Sequence, residues 1–168
     1  MAISTIGSAG ISAGGVAQSN LATPVAGTGP AFSAYLSANQ TSISNTTWTK
    51  IQFNAEDFDT NNNFDSTTNY RFTPTVAGYY QINTACQFDA SITPATVGYL
   101  SIYKNGSAYR TTYFTGNAVE FFGAVNSCVI SFNGSTDYIE AYVFIRGATG
   151  GRLDATNTCF NGALVRAS

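Results

Sequence analysis

Between Ala31 and Val165 no stretch runs long enough without a turn signal to build an ordinary helix, and this punctuation constrains the fold more than any other feature. Short runs of aromatic and β-branched residues end at Asn-Gly, at Pro, or at clusters of Ser, Thr and Asn. Asn105-Gly106 and Asn133-Gly134 are dipeptides that accept positive φ in tight hairpins, and residues 148–151 make a further Gly-rich break. Strands are predicted at 32–36, 47–53, 70–72, 79–88, 97–104, 108–115, 119–132, 138–145 and 158–165. Eight or nine strands with no convincing helix predict an all-β fold of two packed sheets.

Composition agrees. Charged residues make up 10% and aromatics 14%, so long charged helix formers are scarce while side chains suited to a pleated surface are plentiful. A chain of 168 residues is long enough for one domain to bury roughly 70% of its unfolded surface without covalent staples. The seven basic residues are scattered and the net charge is −2, which argues against nucleic acid as a partner. No stretch approaches the roughly 18 apolar residues of a membrane helix, so no membrane partner is expected. Residues 1–22 lack Lys and Arg, and no export signal is expected there.

Residues 1–29 differ from the rest. They are uncharged and rich in Gly, Ser and Ala, yet Ile3, Ile6, Ile11, Val16, Leu21 and Val25 recur at intervals of three to five. The spacing is too irregular, and glycine too frequent, for an amphipathic helix, and neither a collagen repeat nor a heptad is present. The segment reads as an extended arm before a head at 30–168. As an isolated chain it would be a flexible linker. Ordering it costs about 1–2 kcal/mol per residue, so an ordered arm needs a partner that its apolar residues can anchor to.

Two segments carry more apolar surface than a sandwich with one wet face requires. In 138–145 both alternating faces are largely apolar after Glu140, and 119–125 shows the same excess. The surplus side chains, Phe121, Phe122, Tyr142 and Phe144, are expected at a subunit interface. The cysteines Cys86, Cys128 and Cys159 are far apart and odd in number. They read as small apolar residues with free thiols, not as a zinc site.

Phe53, Asp59, Phe64, Phe72, Gly78 and Tyr80 fall in a spacing similar to that of the complement C1q globular-head family. The segment 71–80, RFTPTVAGYY, resembles that family's strand, turn and strand. The opening Ala31-Phe32-Ser33-Ala34-Tyr35 and the closing Cys159-Phe160-Asn161-Gly162-Ala163-Leu164 resemble its paired terminal strands. The likeness extends over about residues 31–166. It implies a C1q/TNF-like jelly roll that associates as a homotrimer, with aromatic residues toward the three-fold axis. Animal members carry collagen-like stalks and are secreted. A chain with neither stalk nor export signal resembles the microbial or viral members, made in the host cytoplasm and placed on the virion surface.

The residues offer little chemistry. With no histidine, Ser-His-Asp and Cys-His arrangements are excluded, and no phosphate-cradling Gly-Lys-Ser/Thr sequence is present. Glu56, Asp57, Asp59 and Asp65 form an acidic cluster in a Thr/Asn-rich loop. A glycosidase pair or a calcium loop would be the functional readings, but 59–65 lacks the glycine and glutamate of an EF-hand, and a solvated turn is the simpler expectation. No cofactor and no enzymatic activity are expected. The sequence therefore points to a trimeric capsid decoration or cement protein of a tailed bacteriophage, binding the major capsid protein through its arm. The alternative is a tail-fibre tip or receptor-binding knob.

Overall fold

The computed structural model describes residues 29–88, 97–115, 122–147 and 151–168. Among them the chain forms thirteen strands and no helix: β1 (Ala31–Tyr35), β2 (Gln40–Ile43), β3 (Thr49–Lys50), β4 (Ala55–Asp59), β5 (Phe64–Asp65), β6 (Arg71–Phe72), β7 (Gly78–Phe88), β8 (Val97–Lys104), β9 (Ser107–Phe114), β10 (Phe122–Phe132), β11 (Ile139–Arg146), β12 (Gly151–Leu153) and β13 (Cys159–Ala167). They make two antiparallel sheets packed as a jelly-roll sandwich. The seven-stranded sheet runs β2-β12-β7-β13-β1-β4, with β10 also on β7. The six-stranded sheet runs β5-β6-β11-β8-β9, with β3 also on β11.

Alternation explains which face each strand buries. In β7, Tyr80, Ile82, Thr84, Cys86 and Phe88 point inward, and Tyr79, Gln81, Asn83, Ala85 and Gln87 point outward. Its long partner β10 pairs with it over the whole length, from Phe122 opposite Phe88 to Phe132 opposite Gly78. The first and last strands, β1 and β13, lie side by side, Ala31 opposite Ala163 and Tyr35 opposite Cys159, as the likeness of the terminal segments implied.

The core is dominated by rings. Phe32 stacks on Phe72 at 4.2 Å between centroids and meets Phe160 edge-on at 5.1 Å, while Tyr80 meets Phe132 edge-on at 5.1 Å. Such pairs contribute about 0.5–1.5 kcal/mol each beyond the area they bury. Two buried hydroxyls find carbonyl acceptors: Tyr80 donates to the Val76 carbonyl at 2.8 Å, and Thr84 donates to the Cys159 carbonyl at 3.0 Å. Asn126 of β10 donates to the carbonyls of Leu100 and Arg110, at 3.1 and 2.8 Å, and so ties the seven-stranded sheet to β8 and β9 of the other.

Local chemistry accounts for where the strands depart from expectation. The predicted strand at 47–53 is reduced to Thr49–Lys50, because the Gln40 side chain takes the backbone next to it: its amide donates to the Lys50 carbonyl and accepts from the Gln52 N–H, each at 2.8 Å. Gly151, the last residue of the Gly-rich break, opens β12. There Gly151 faces Ile43 so closely that a Cβ would lie 2.8 Å from its side chain and 2.5 Å from Ile145, so glycine is what permits the pairing. Asn105 and Gly106, at φ of 51° and 78°, make the tight turn between β8 and β9 that the dipeptide predicts.

Candidate functional site

Each sheet has an outer face, and the two differ in chemistry. On the seven-stranded sheet, registers align Ser33, Asn161, Asn83 and Ser127 in one row across β1, β13, β7 and β10. The row is hydrogen-bonded: Asn83 donates to Asn161 at 3.0 Å, Ser127 to Asn83 at 2.8 Å, and Gln81 to Ser127 at 2.8 Å, while Ser33 donates to Asp57 at 2.8 Å. Apolar side chains flank it. Of the eight large hydrophobic residues exposed among the described residues, six sit on strands of this sheet: Tyr35, Phe58, Tyr79, Val125, Val129 and Val165. Val125 is 67% exposed and Val129 53%. A shallow depression of about 350 Å³ lies on the row, lined by Ser33, Asn83, Asn161, Ala163 and Phe58 among others.

The outer face of the six-stranded sheet is aromatic. Tyr113, Tyr99 and Phe144 lie opposite one another across β9, β8 and β11, with centroids 5.4 and 5.8 Å apart. Trp48, from the turn before β3, lies 5.5 Å from Phe144 and 5.7 Å from Tyr103, and Tyr103 is 4.2 Å from Tyr142. The rings border an ion pair, Lys50 Nζ to Glu140 Oε1 at 2.6 Å, and Tyr142 donates to the other Glu140 oxygen at 3.2 Å. Burial, and then the adjacent carboxylate, push the Tyr142 hydroxyl up to about 12, so it stays a donor.

The candidate interface residues are thus separated. Tyr142 and Phe144 are half-buried on the aromatic face. Val125, from the other apolar segment, belongs to the opposite face. Phe122 differs from them: it points into the sandwich, stacked on Phe88 at 5.1 Å. Strand parity decides this, since Val125 and Val129 point outward and even-numbered residues of β10 point in. Phe121 lies outside the described residues, as do Ile3, Ile6, Ile11, Val16, Leu21 and Val25. Reading β10 by strict alternation would have found Val125 and Val129. Nothing in the sequence brings Trp48 beside Tyr99 and Tyr103.

The acidic residues shape loops. Asp65 accepts backbone N–H groups of Thr67, Thr68 and Asn69, and these bonds, that from Thr68 foremost, hold its carboxyl well below the usual range. Asp59 accepts from the Phe64 N–H at 2.6 Å. Among the described residues no three His, Cys, Asp or Glu side chains are grouped to hold a metal. All three cysteines are free: Cys86 is buried, Cys128 and Cys159 partly so. Burial pushes the Cys86 thiol up to about 12 and raises the other two.

No protein-family model and no curated protein sequence matches the chain. Solved structures do match. The globular domain of zebrafish complement 1qA aligns with a TM-score of 0.61 at 18% identity, covering 83% of this chain and 99% of that one. Murine APRIL aligns at 0.61 with 8% identity, covering 81% and 98%. PRD1 vertex protein P5 aligns at 0.59 with 14% identity, covering 82% and 97%. The head is a C1q/TNF-like jelly roll.

Proposed function

Starting from a C1q/TNF-like head with two unlike outer faces, we propose that this chain is a virion structural protein, a homotrimeric decoration or cement protein of a tailed bacteriophage. In this reading the head self-associates through the outer face of its seven-stranded sheet, and residues 1–29 anchor it to the major capsid protein. The observation that carries it is the concentration of exposed Tyr35, Phe58, Tyr79, Val125, Val129 and Val165 on that one sheet. A monomer gains nothing by keeping these side chains in water. Between them the row of Asn83, Asn161 and Ser127 supplies directional groups that would fix the register of an otherwise greasy contact. The likeness to a vertex protein supports a virion setting. The chain has no histidine, and a structural role needs none.

The arm supplies the attachment. An uncharged segment with Ile3, Ile6, Ile11, Val16, Leu21 and Val25 fits strand addition to an exposed sheet edge, and three arms on one trimer multiply the avidity. Deleting residues 2–27 is expected to leave a trimeric head that no longer co-sediments with undecorated capsids. Co-sedimentation equal to that of the intact protein would refute the anchoring role. A second reading, a tail-fibre tip or receptor-binding knob, is favoured by the aromatic face of the six-stranded sheet. Copy number per virion separates them, tens to hundreds for a cement protein and few for a tip.

A further inference from the structure

The geometry points to a neutral-glycan binding site on the outer face of the six-stranded sheet, with Tyr113, Tyr99, Phe144 and Trp48 as the stacking surface and Tyr103 and Tyr142 beside them. The inference concerns the face that the proposed self-association leaves open, so it stands or falls separately.

The size of the surface comes first. Trp48 is 36% exposed and Tyr113 55%, while the other four rings are more covered because they pack on one another. At up to about 250 Å² per aromatic side chain, the six together leave at most about 600 Å² open, a continuous ring surface that a small ligand can cover.

Charge comes next. Lys50 and Glu140, which border the rings, already neutralise each other at 2.6 Å, and Arg146, two residues beyond Phe144 on the same strand face, is engaged in an interaction of its own. Lys50 also donates to the Asn69 carbonyl, which leaves it little to offer an anion. Single-stranded nucleic acid uses stacked rings too, but it needs a positive groove, and this chain carries −2 overall. The ligand is therefore uncharged.

Shape and polarity complete the identification. The rings form a band across three strands, not a hollow, whereas a compact apolar ligand is held in a concave pocket. A sugar ring presents a flat face of C–H groups to an aromatic face and hydroxyls at its rim. Four of the six platform side chains are tyrosines, which offer a ring for the first and a hydroxyl for the second. The Glu140 carboxylate orients the Tyr142 hydroxyl, so at least one of these polar groups is fixed before a ligand arrives.

Trp48 is the only tryptophan of the chain, so its emission reports on this face alone. The full chain would be titrated with maltohexaose, cellohexaose, chitohexaose and mannohexaose, and with a single-stranded oligothymidylate. The expected result is a saturable change with at least one neutral oligosaccharide, insensitive to salt, weakened about tenfold or more by Tyr113→Ala. Tyr113 is exposed, so this variant leaves the fold in place; Thr112→Ala on the neighbouring inward position should bind like the wild type. No saturable response to any of the four sugars, or equal affinity in Tyr113→Ala, overturns the proposal, as does binding of the oligothymidylate alone. A fall in oligomeric mass for Trp48→Ala or Tyr113→Ala would assign the face to a second copy and also overturn it. Wild-type monomer with intact sugar binding would instead sink the trimer reading and leave this one standing.

Discussion

Val129→Asp tests the proposed self-association face at a point where the two possible outcomes are far apart. In the isolated head Val129 is 53% exposed, on the outer side of β10 opposite Gln81 and beyond it Ala163. Placing a carboxylate there costs the monomer about 1 kcal/mol or less, mainly through lost strand preference. If the face is buried between subunits, two terms are lost together. Covering the exposed half of a valine contributes about 1 kcal/mol, and an unpaired carboxylate in a dry contact costs several kcal/mol. Taken as about 3 kcal/mol per copy, three copies give about 9 kcal/mol per trimer, more than about 10⁶ in the association constant. Light scattering after size exclusion is expected to give a trimer for the wild type and a monomer for Val129→Asp. Far-UV circular dichroism should be unchanged. Val125→Asp, two steps along the same strand face and 67% exposed, should behave alike, and Ser107→Asp in the β8–β9 hairpin should remain trimeric. Trimers persisting in both valine variants at sub-micromolar concentration, or a wild type that is monomeric at tens of micromolar, would refute the reasoning.

Three further outcomes are expected. Tyr80→Phe removes the hydroxyl that satisfies the Val76 carbonyl in a fully buried site, and should lower stability by about 1–2 kcal/mol in urea denaturation; no change would mean that the bond contributes nothing net. Asp65 is ionised more readily in the folded than in the unfolded chain, so its stabilisation is complete above the ordinary carboxylate value of 3.8 and is lost as pH falls below it. The deficit of Asp65→Asn should be constant near neutrality and shrink below pH 3.8, and a deficit independent of pH down to strong acid would contradict the loop role of the carboxylate. With burial raising its thiol to about 12, Cys86 should react with a maleimide far more slowly in the native protein than after denaturation, and Cys128 and Cys159 at intermediate rates; fast native labelling of Cys86 would show that β7 and β10 open there.

The sequence by itself determined the fold class and most long strands. Turn chemistry and period-2 patterning are local, so Asn105-Gly106 announced its hairpin, and the alternation in 79–88 announced β7. It also revealed that 138–145 carries apolar side chains on both faces. What it could not reveal is the depth at which each side chain ends. Phe122 and Val125 read alike as surplus apolar residues, yet three positions apart in a strand they point to opposite sides, one into the stack with Phe88 and one into solvent. Short strands held by distant partners were also hidden: β4 is acidic and exists because β1 pairs with it, and β12 because Gly151 lets β2 approach. Both candidate faces are products of register across strands far apart in the chain. Ser33, Asn161, Asn83 and Ser127 make one row only once β1, β13, β7 and β10 are aligned, and Trp48 reaches Tyr99, Tyr103 and Phe144 only because β3 pairs with β11 beside β8. Local propensities fix the strands. The order in which strands pair, set by packing of the whole core, decides which side chains share a surface, and so the sites belong to the tertiary structure alone.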